Sequence, residues 1–378
     1  MMALAGLGLA GCGVRARGQP LGEAAPAAGP MPATSEGLGA LARARGIGFG
    51  TAVQGELLAQ DPVYAAAVAA EAQLLVPEWE AKWDALQPRE GEFDFGPLAV
   101  VAGFAQAQRK QLRGHALVWH NAMPDWLGPA LAEGPARARG VLAAHLEAVL
   151  GATQPLIRDW DVVNEALANP PGSRFTDQTP ARGVFRDTPW LRALGPGYIE
   201  LALRLARERD RTLRLTINDY GLEGDTPWAE QKRQAMLALV RALLEARCPL
   251  DAVGLQAHLQ VDEPFRPEPL AGFIQALRGM GLSVLITELD CREGARLPSG
   301  LEARDDVVAG YVQQVVGTAL AAGCRTVLAW GLSDRDSWLV RDADVARRDG
   351  QQHRGHPLDA AFRRKAMWQA LARTFADA

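Results

Sequence analysis

Cysteine is scarce in this chain. Four occur in 378 residues, at positions 12, 248, 291 and 324, with no Cys-x-x-Cys pair and no histidine at ligand spacing. That spacing supports neither a disulfide framework nor a structural zinc site, and it leaves Cys248, Cys291 and Cys324 as small buried hydrophobes. A basic excess is lacking too. Lys and Arg number 40 against 44 Asp and Glu, for a formal net charge of −4 and a pI near 5.9. Nucleic-acid binding needs a strongly basic face, so no nucleic-acid partner is expected. No stretch reaches the roughly 18 apolar residues that a membrane-spanning helix requires. Apolar side chains, in contrast, are plentiful: 48% of the residues are hydrophobic, enough for one large core in a chain of this length.

The first thirty residues have a composition of their own, a short apolar run followed by a Gly, Ala and Pro tract. The run over 1–11 is too short to cross a bilayer and suits the hydrophobic region of an export signal. "LAGC" at 9–12 resembles the lipobox of bacterial lipoproteins, whose cysteine is lipidated after cleavage. Residues 1–30 are therefore expected to form an export or lipoprotein signal with a linker, with Cys12 as the candidate lipid anchor. No Lys or Arg precedes the run, so either the basic n-region is missing or the start site is misplaced. The expected location is secreted or periplasmic, or at a membrane as a lipoprotein.

From Gly46 onward one grammar repeats. Apolar, often β-branched runs stand at 47–53, 74–78, 112–119, 159–166, 214–220, 252–259, 283–290 and 326–332. Segments with apolar residues at helical spacing separate them, such as 198–210, 229–246 and 305–323. Strands alternating with helices imply parallel pairing. Eight such units predict a single (β/α)8 TIM barrel over 40–376, expected as a monomer. A doubly wound open sheet is the alternative, but no Gly-rich phosphate loop follows any strand. The stretches 167–197 and 333–357 read as loops.

A barrel gathers its functional residues at the C-terminal ends of its strands. Here those ends carry Glu78; His115, Trp119 and His120; Asn164 and Glu165; Asn218, Asp219 and Tyr220; Gln256 and His258; Glu288 and Asp290; and Trp330. Any one of these would ordinarily be a solvated or capping residue. Seven ends of eight doing so make a carboxylate- and Trp-lined bowl suited to polysaccharide, with hydroxyls for the polar groups and C–H faces for the indoles. Glu165 and Glu288 stand three strands apart, facing each other across the mouth. Retaining glycosidases need two carboxyl groups about 5–5.5 Å apart.

These motifs are similar to a known family. "RGHALVWHNAMPDWL" (113–127), "WDVVNEA" (160–166), "INDY" (217–220), "VGLQAHL" (253–259), "ITELD" (286–290) and "AWGLSDRDSWL" (329–339) resemble the family-ten glycoside hydrolases, the endo-β-1,4-xylanases. "PEWEAKWDALQPREGEFDF" (77–95) and "HPLDAAFRRKAMW" (356–368) match their flanking signatures. The resemblance implies hydrolysis of xylan by double displacement, with Glu165 as acid/base and Glu288 as nucleophile. It implies that Asn164 bonds the substrate 2-hydroxyl and that His258 and Asp290 hold the nucleophile's surroundings. Glu78, Lys82, His115, Trp119, Asn218, Tyr220, Gln256, Trp330 and Trp338 complete the expected sugar-binding set, with no metal or cofactor. Burial and the charge of Glu288 are expected to raise the Glu165 pKa.

Two departures leave the sugar open. The family usually has Glu-Asn after the second strand, whereas this chain has Glu78-Trp79. Either Trp79 turns outward or it reshapes the glycone side for a different β-glycan or a branched chain. The loop 341–355 carries Arg341, Arg347, Arg348 and Arg354, ordinarily a solvated run. Overhanging the cleft, they would favour an acidic bacterial exopolysaccharide. More distant alternatives are a non-catalytic sugar-binding barrel and a metal-dependent hydrolase built on His115, His120 and His258.

Overall fold

The computed structural model describes residues 36–175, 181–294 and 298–378. The expected export signal and Cys12 lie outside these residues. Eight parallel strands form the centre: β1 Gly48–Val53, β2 Leu74–Pro77, β3 Gln111–Val118, β4 Ile157–Asn164, β5 Arg214–Asp219, β6 Ala252–Leu255, β7 Ser283–Arg292 and β8 Thr326–Ala329. Each pairs with its successor, and β8 returns to β1 through Gly48↔Thr326, which closes the barrel. The core lies between strands and helices, with Leu75, Val162, Val163, Leu215 and Val253 buried among helix residues such as Ile199, Val240 and Val312. A smaller group inside the barrel, Ala52, Val76, Leu328 and Trp330, floors the mouth.

Local chemistry sets the element ends. The helix read from residue 229 begins two residues earlier, at Pro227. Thr226 accepts from Ala229 N, and Pro227 takes the first helical position, where its missing N–H costs nothing. The same Asp-Thr-Pro-Trp sequence starts Pro189–Leu194, with Thr188 accepting from Leu191 N. That helix, and a two-strand hairpin of Ala181–Arg182 and Phe185–Arg186, correct the reading of 167–197 as plain loop. The sixth sequence run is also divided: Ala257, at φ +57°, interrupts the ladder before the short strand His258–Gln260. Within 333–357, Asp334–Asp336 and Trp338–Arg341 form single helical turns.

The barrel's lower end is tied by one carboxylate. Fully buried Glu71 accepts from Leu38 N, Trp368 Nε1 and Arg364 Nε, joining the first and last helices described, Leu38–Arg43 and Ala366–Asp377. Cys248, Cys291 and Cys324 are buried free thiols. Among the described residues no helix is long and apolar enough to cross a membrane.

Candidate active site

A cavity of about 690 Å³ opens at the C-terminal ends of the strands. Glu78, Lys82, His115, Trp119, Asn164, Glu165, Tyr220, Gln256, His258, Glu288, Trp330 and Trp338 line it, all from the expected set. In a regular strand, successive side chains point to opposite faces. Asn164 and Glu165 nevertheless share this cavity, because Glu165 leaves the strand at φ +58°. A left-handed backbone costs a non-glycine residue roughly 1–2 kcal/mol. Two hydrogen bonds hold it there: Glu165 N donates to Asn218 O at 2.8 Å, and Arg186 Nε donates to Glu165 O at 3.0 Å.

The two glutamates are joined by a run of side-chain amides. Gln256 Nε2 donates to Glu165 Oε1 at 3.1 Å and to Asn164 Oδ1 at 3.2 Å. Asn218 Nδ2 donates to Asn164 Oδ1 at 2.9 Å and to Glu288 Oε1 at 2.7 Å. An ionised carboxylate only accepts, so both amides must present nitrogen to it and oxygen elsewhere. Asn164 thereby spends its oxygen on two donors and keeps Nδ2 as a donor for the cavity. Gly254 makes room for this run, since a Cβ there would lie 2.3 Å from Asn218 Oδ1 and 2.9 Å from Thr287 Cγ2.

Glu288 receives charge as well as hydrogen bonds. His258 Nε2 is 3.3 Å from Glu288 Oε2, and His258 Nδ1 is 3.0 Å from Asp290 Oδ2. Burial disfavours the imidazolium, but Asp290 and then Glu288 outweigh it and raise the His258 pKa to about 10. His258 is therefore a cation at neutral pH. On the other side, Arg113 pairs with Asp161, whose Oδ2 meets His115 Nδ1 at 3.1 Å. Burial would raise the Asp161 pKa, but Arg113 and His115 hold it below the ordinary value. His115 Nδ1 lies 3.8 Å from Glu288 Oε1.

Several expectations are corrected. Asn218, expected against substrate, and Asp290, grouped with the substrate-binding set but implied by the resemblance to hold the nucleophile's surroundings, are fully buried and meet protein side chains. They hold Glu288 and His258 respectively. Glu165 was expected to have a raised pKa, yet it is lowered. Burial, the largest influence, raises it; His120, Arg186 and hydrogen bonds from Trp119 Nε1 (2.8 Å) and Gln256 together overcome burial. His120 itself is pushed by burial to about 4, so its charge acts on Glu165 only in acid. The arginine-rich loop does not present free cations to the cavity: Arg341 pairs with Glu78, Arg347 with Asp349 and Arg354 with Asp305. Exposed Arg348 is absent from the cavity wall, and the loop contributes Asp342, Asp344 and Val345 to it. Among the described residues no three His, Cys, Asp or Glu side chains converge as metal ligands would.

Sequence reasoning missed Asn121, Phe175 and Arg292 on the cavity wall. Phe175 packs on Tyr220 with centroids 4.4 Å apart, and the Arg292 guanidinium lies 5.0 Å from the Trp338 ring. It also missed Asp161 and Arg186. A carboxylate in the middle of an apolar strand was the available signal for Asp161; Arg186, in a Gly- and Arg-rich stretch, carried none.

The whole chain can be set beside known proteins. The model of glycosyl hydrolase family 10 matches residues 37–374. An endo-1,4-beta-xylanase A of Fusarium oxysporum f. sp. lycopersici is 32% identical over 274 residues, covering 70% of this chain and 77% of that one. An endo-1,4-beta-xylanase A of Phanerodontia chrysosporium is 31% identical over 344 residues, covering 90% and 77%. The crystal structure of xylanase B from Clostridium stercorarium F9 superposes with a TM-score of 0.78 at 26% identity, covering 89% of this chain and 99% of that one. The barrel, its carboxylate-lined mouth and a family match across nearly all of the described chain agree: this protein is a glycoside hydrolase and belongs to glycosyl hydrolase family 10.

Proposed function

We propose that the protein is an endo-acting, retaining β-1,4-xylanase with Glu288 as nucleophile and Glu165 as acid/base. The observation that carries the assignment of roles is the asymmetry of the two glutamates. Glu288 sits between cationic His258 and the Asn218 amide, which meet its two carboxyl oxygens. Glu165 lines the same cavity with neutral donors on its oxygens, Trp119 Nε1 and Gln256 Nε2, and the leaving group is placed on its side. The substrate class follows the relatives, which are named xylanases.

In the first step a Glu288 oxygen attacks the anomeric carbon while the bond to the leaving oxygen breaks. Glu165, ionised more readily than an ordinary glutamic acid while the cavity is empty, gains a proton as the bound sugar excludes water and transfers it to that oxygen. The Asn164 Nδ2–H donates to the sugar 2-hydroxyl, a contact that strengthens as charge develops on the ring. In the second step Glu165, now a carboxylate, takes a proton from water. That water attacks the anomeric carbon, the bond to Glu288 breaks, and Glu288 is released as a carboxylate. One proton leaves Glu165 and one returns, so the enzyme ends as it began. Lys82 Nζ, 4.8 Å from the Trp119 ring centroid and 5.9 Å from that of Trp330, is placed to donate to sugar hydroxyls.

Export through residues 1–30, to the periplasm or beyond, belongs to the same reading and is supported by the composition of that segment. Product analysis on a panel of β-glycans tests the function. Internal cleavage of xylan with retention at the anomeric carbon is expected; inversion, or cleavage of other β-glycans with none of xylan, would sink it.

A further inference from the structure

Arg292 is a cation on the cavity wall without a counterion. It is the last residue of β7, the strand that carries Glu288, and its side chain is half-buried. The guanidinium lies 5.0 Å from the centroid of the Trp338 ring. Among the described residues its side chain makes no hydrogen bond and no ion pair, and its Nε is buried without an acceptor. A cation taken out of water and left unpaired is costly. Burial accordingly lowers the Arg292 pKa from its ordinary value, although an arginine stays charged at neutral pH.

The charged groups around it are engaged elsewhere. Asp290 is fully buried and pairs with His258 at 3.0 Å. Arg174, a neighbouring cation, pairs with Glu263 at 2.8 Å and donates to His258 O. Asp342, exposed on the same wall, accepts from Asp344 N at 2.9 Å. The backbone beneath Arg292 is fixed on both sides. Arg292 O accepts from Val261 N at 3.1 Å, and Cys291 N donates to Gly355 O at 3.2 Å. The next residue, Glu293, is buried and accepts from Arg304 Nε and Nη2, each at 2.6 Å. A fixed, partly desolvated guanidinium suits a carboxylate, whose two oxygens match two parallel N–H groups and whose charge balances the arginine. Neutral hydroxyls would accept the hydrogen bonds and leave the charge uncompensated.

We propose that Arg292 is a specificity-determining residue that binds the carboxylate of a uronic acid side group on the polysaccharide in the cavity. The inference rests on the proposed function, which supplies the sugar chain. Acid recognition, which the paired arginines of 341–355 do not provide, then comes from the end of β7.

Glucuronoxylan and its carboxyl-reduced form, in which each carboxylate has become a neutral hydroxymethyl group, test this, since the two differ in charge and little in shape. In the wild type at low salt, kcat/KM on the acidic polymer is expected to exceed that on the reduced one about tenfold, the lower end for a hydrogen bond to a charged group. Added salt should narrow the ratio. Arg292→Gln keeps amide donors without the charge and is expected to bring the ratio to about one, with Arg292→Lys retaining part of the preference. A wild type that does not favour the acidic polymer, or a ratio that Arg292→Gln leaves unchanged, would overturn the assignment. So would an equal loss on both polymers, the mark of an arginine acting only through its packing on Trp338. A wild type inactive on linear xylan and on both polymers would remove the proposed function and the inference together, whereas one active on linear xylan without a preference for charge removes the inference alone.

Discussion

Replacing Asp290 with Asn should convert the enzyme into one whose glycosylation step titrates near neutrality. Two donors meet the same Asp290 oxygen: His258 Nδ1 at 3.0 Å and Trp338 Nε1 at 2.6 Å. The amide oxygen of Asn would therefore occupy that position and still accept from both. What disappears is the charge. Asp290 is the largest influence raising His258 to about 10, against the burial that lowers it. Without that charge, His258 should lose its proton close to or below its ordinary 6.5. Its Nδ1–H would stay on the substituted amide oxygen, and its Nε2 lone pair would then face the Glu288 carboxylate. A hydrogen bond to a charged group contributes about 1.5–3 kcal/mol, and about 1.36 kcal/mol corresponds to a factor of ten in rate. The glycosylation rate should thus fall about ten- to hundredfold on the alkaline side and recover in mild acid, where His258 regains its proton. The burst of aryl release from an aryl xyloside, followed by stopped flow across pH, measures that step. The wild type should show no loss from His258 until about pH 10. An Asp290→Asn variant with a wild-type rate in alkali would refute the argument. So would a loss equal at every pH, which would mean that Asp290 acts through packing instead of through the His258 charge.

Other outcomes follow from the same geometry. Glu288→Ala should abolish turnover of every substrate, while Glu165→Ala should spare aryl glycosides whose leaving groups need no proton; steady-state assays on both substrate types check this. Trp119→Phe removes one donor from the Glu165 carboxylate, so the Glu165 pKa should rise and the alkaline limb of kcat/KM should move upward. The expected shift is about one to two pH units, from about 1.5–3 kcal/mol at about 1.36 kcal/mol per unit; a downward or absent shift contradicts the role of that bond. Burial pushes His145 to about 3 and His356 to about 4, against an ordinary 6.5. Below 6.5 the unfolded chain therefore binds protons that the folded chain refuses. Stability should fall as pH drops from 6.5 toward 4, with a limiting slope of about 1.36 kcal/mol per pH unit for each histidine. Calorimetry across that range should show it, and His145→Phe, which can keep the stack on Trp83 at 3.6 Å, should reduce the slope.

The strands were the most legible part of the chain. Apolar runs such as 283–290 and 326–332 state their own burial, and parallel pairing follows from the helices between them. The helix at Pro227 was displaced by two residues because its start depends on the Thr226 cap, which apolar periodicity does not register. The 167–197 stretch hid a hairpin and a helix because both are too short to show a period, two residues in each strand and six in the helix. The hairpin is held by Arg186, through Glu165 O, Leu167 O and the Tyr220 hydroxyl. Asn218 was placed at the right strand end but with the wrong neighbour. Gly254, on the adjacent strand, gives its amide the space to turn inward.

Sequence alone determined the barrel and the family and singled out the two glutamates proposed to act, because periodicity and long local motifs require no knowledge of what lies across the fold. Only the tertiary structure decided how those glutamates are poised. The fate of a proton depends on charges and donors brought together from distant segments: Asp290 beside His258, Trp119 and Gln256 on Glu165, and Arg113 behind Asp161. The arginine loop shows the same division. Its cations are plain in the sequence, but their partners Glu78 and Asp305 lie 263 and 49 residues away. Whether an arginine meets substrate or a carboxylate of its own chain is settled by proximity in space, and a linear pattern carries no record of that.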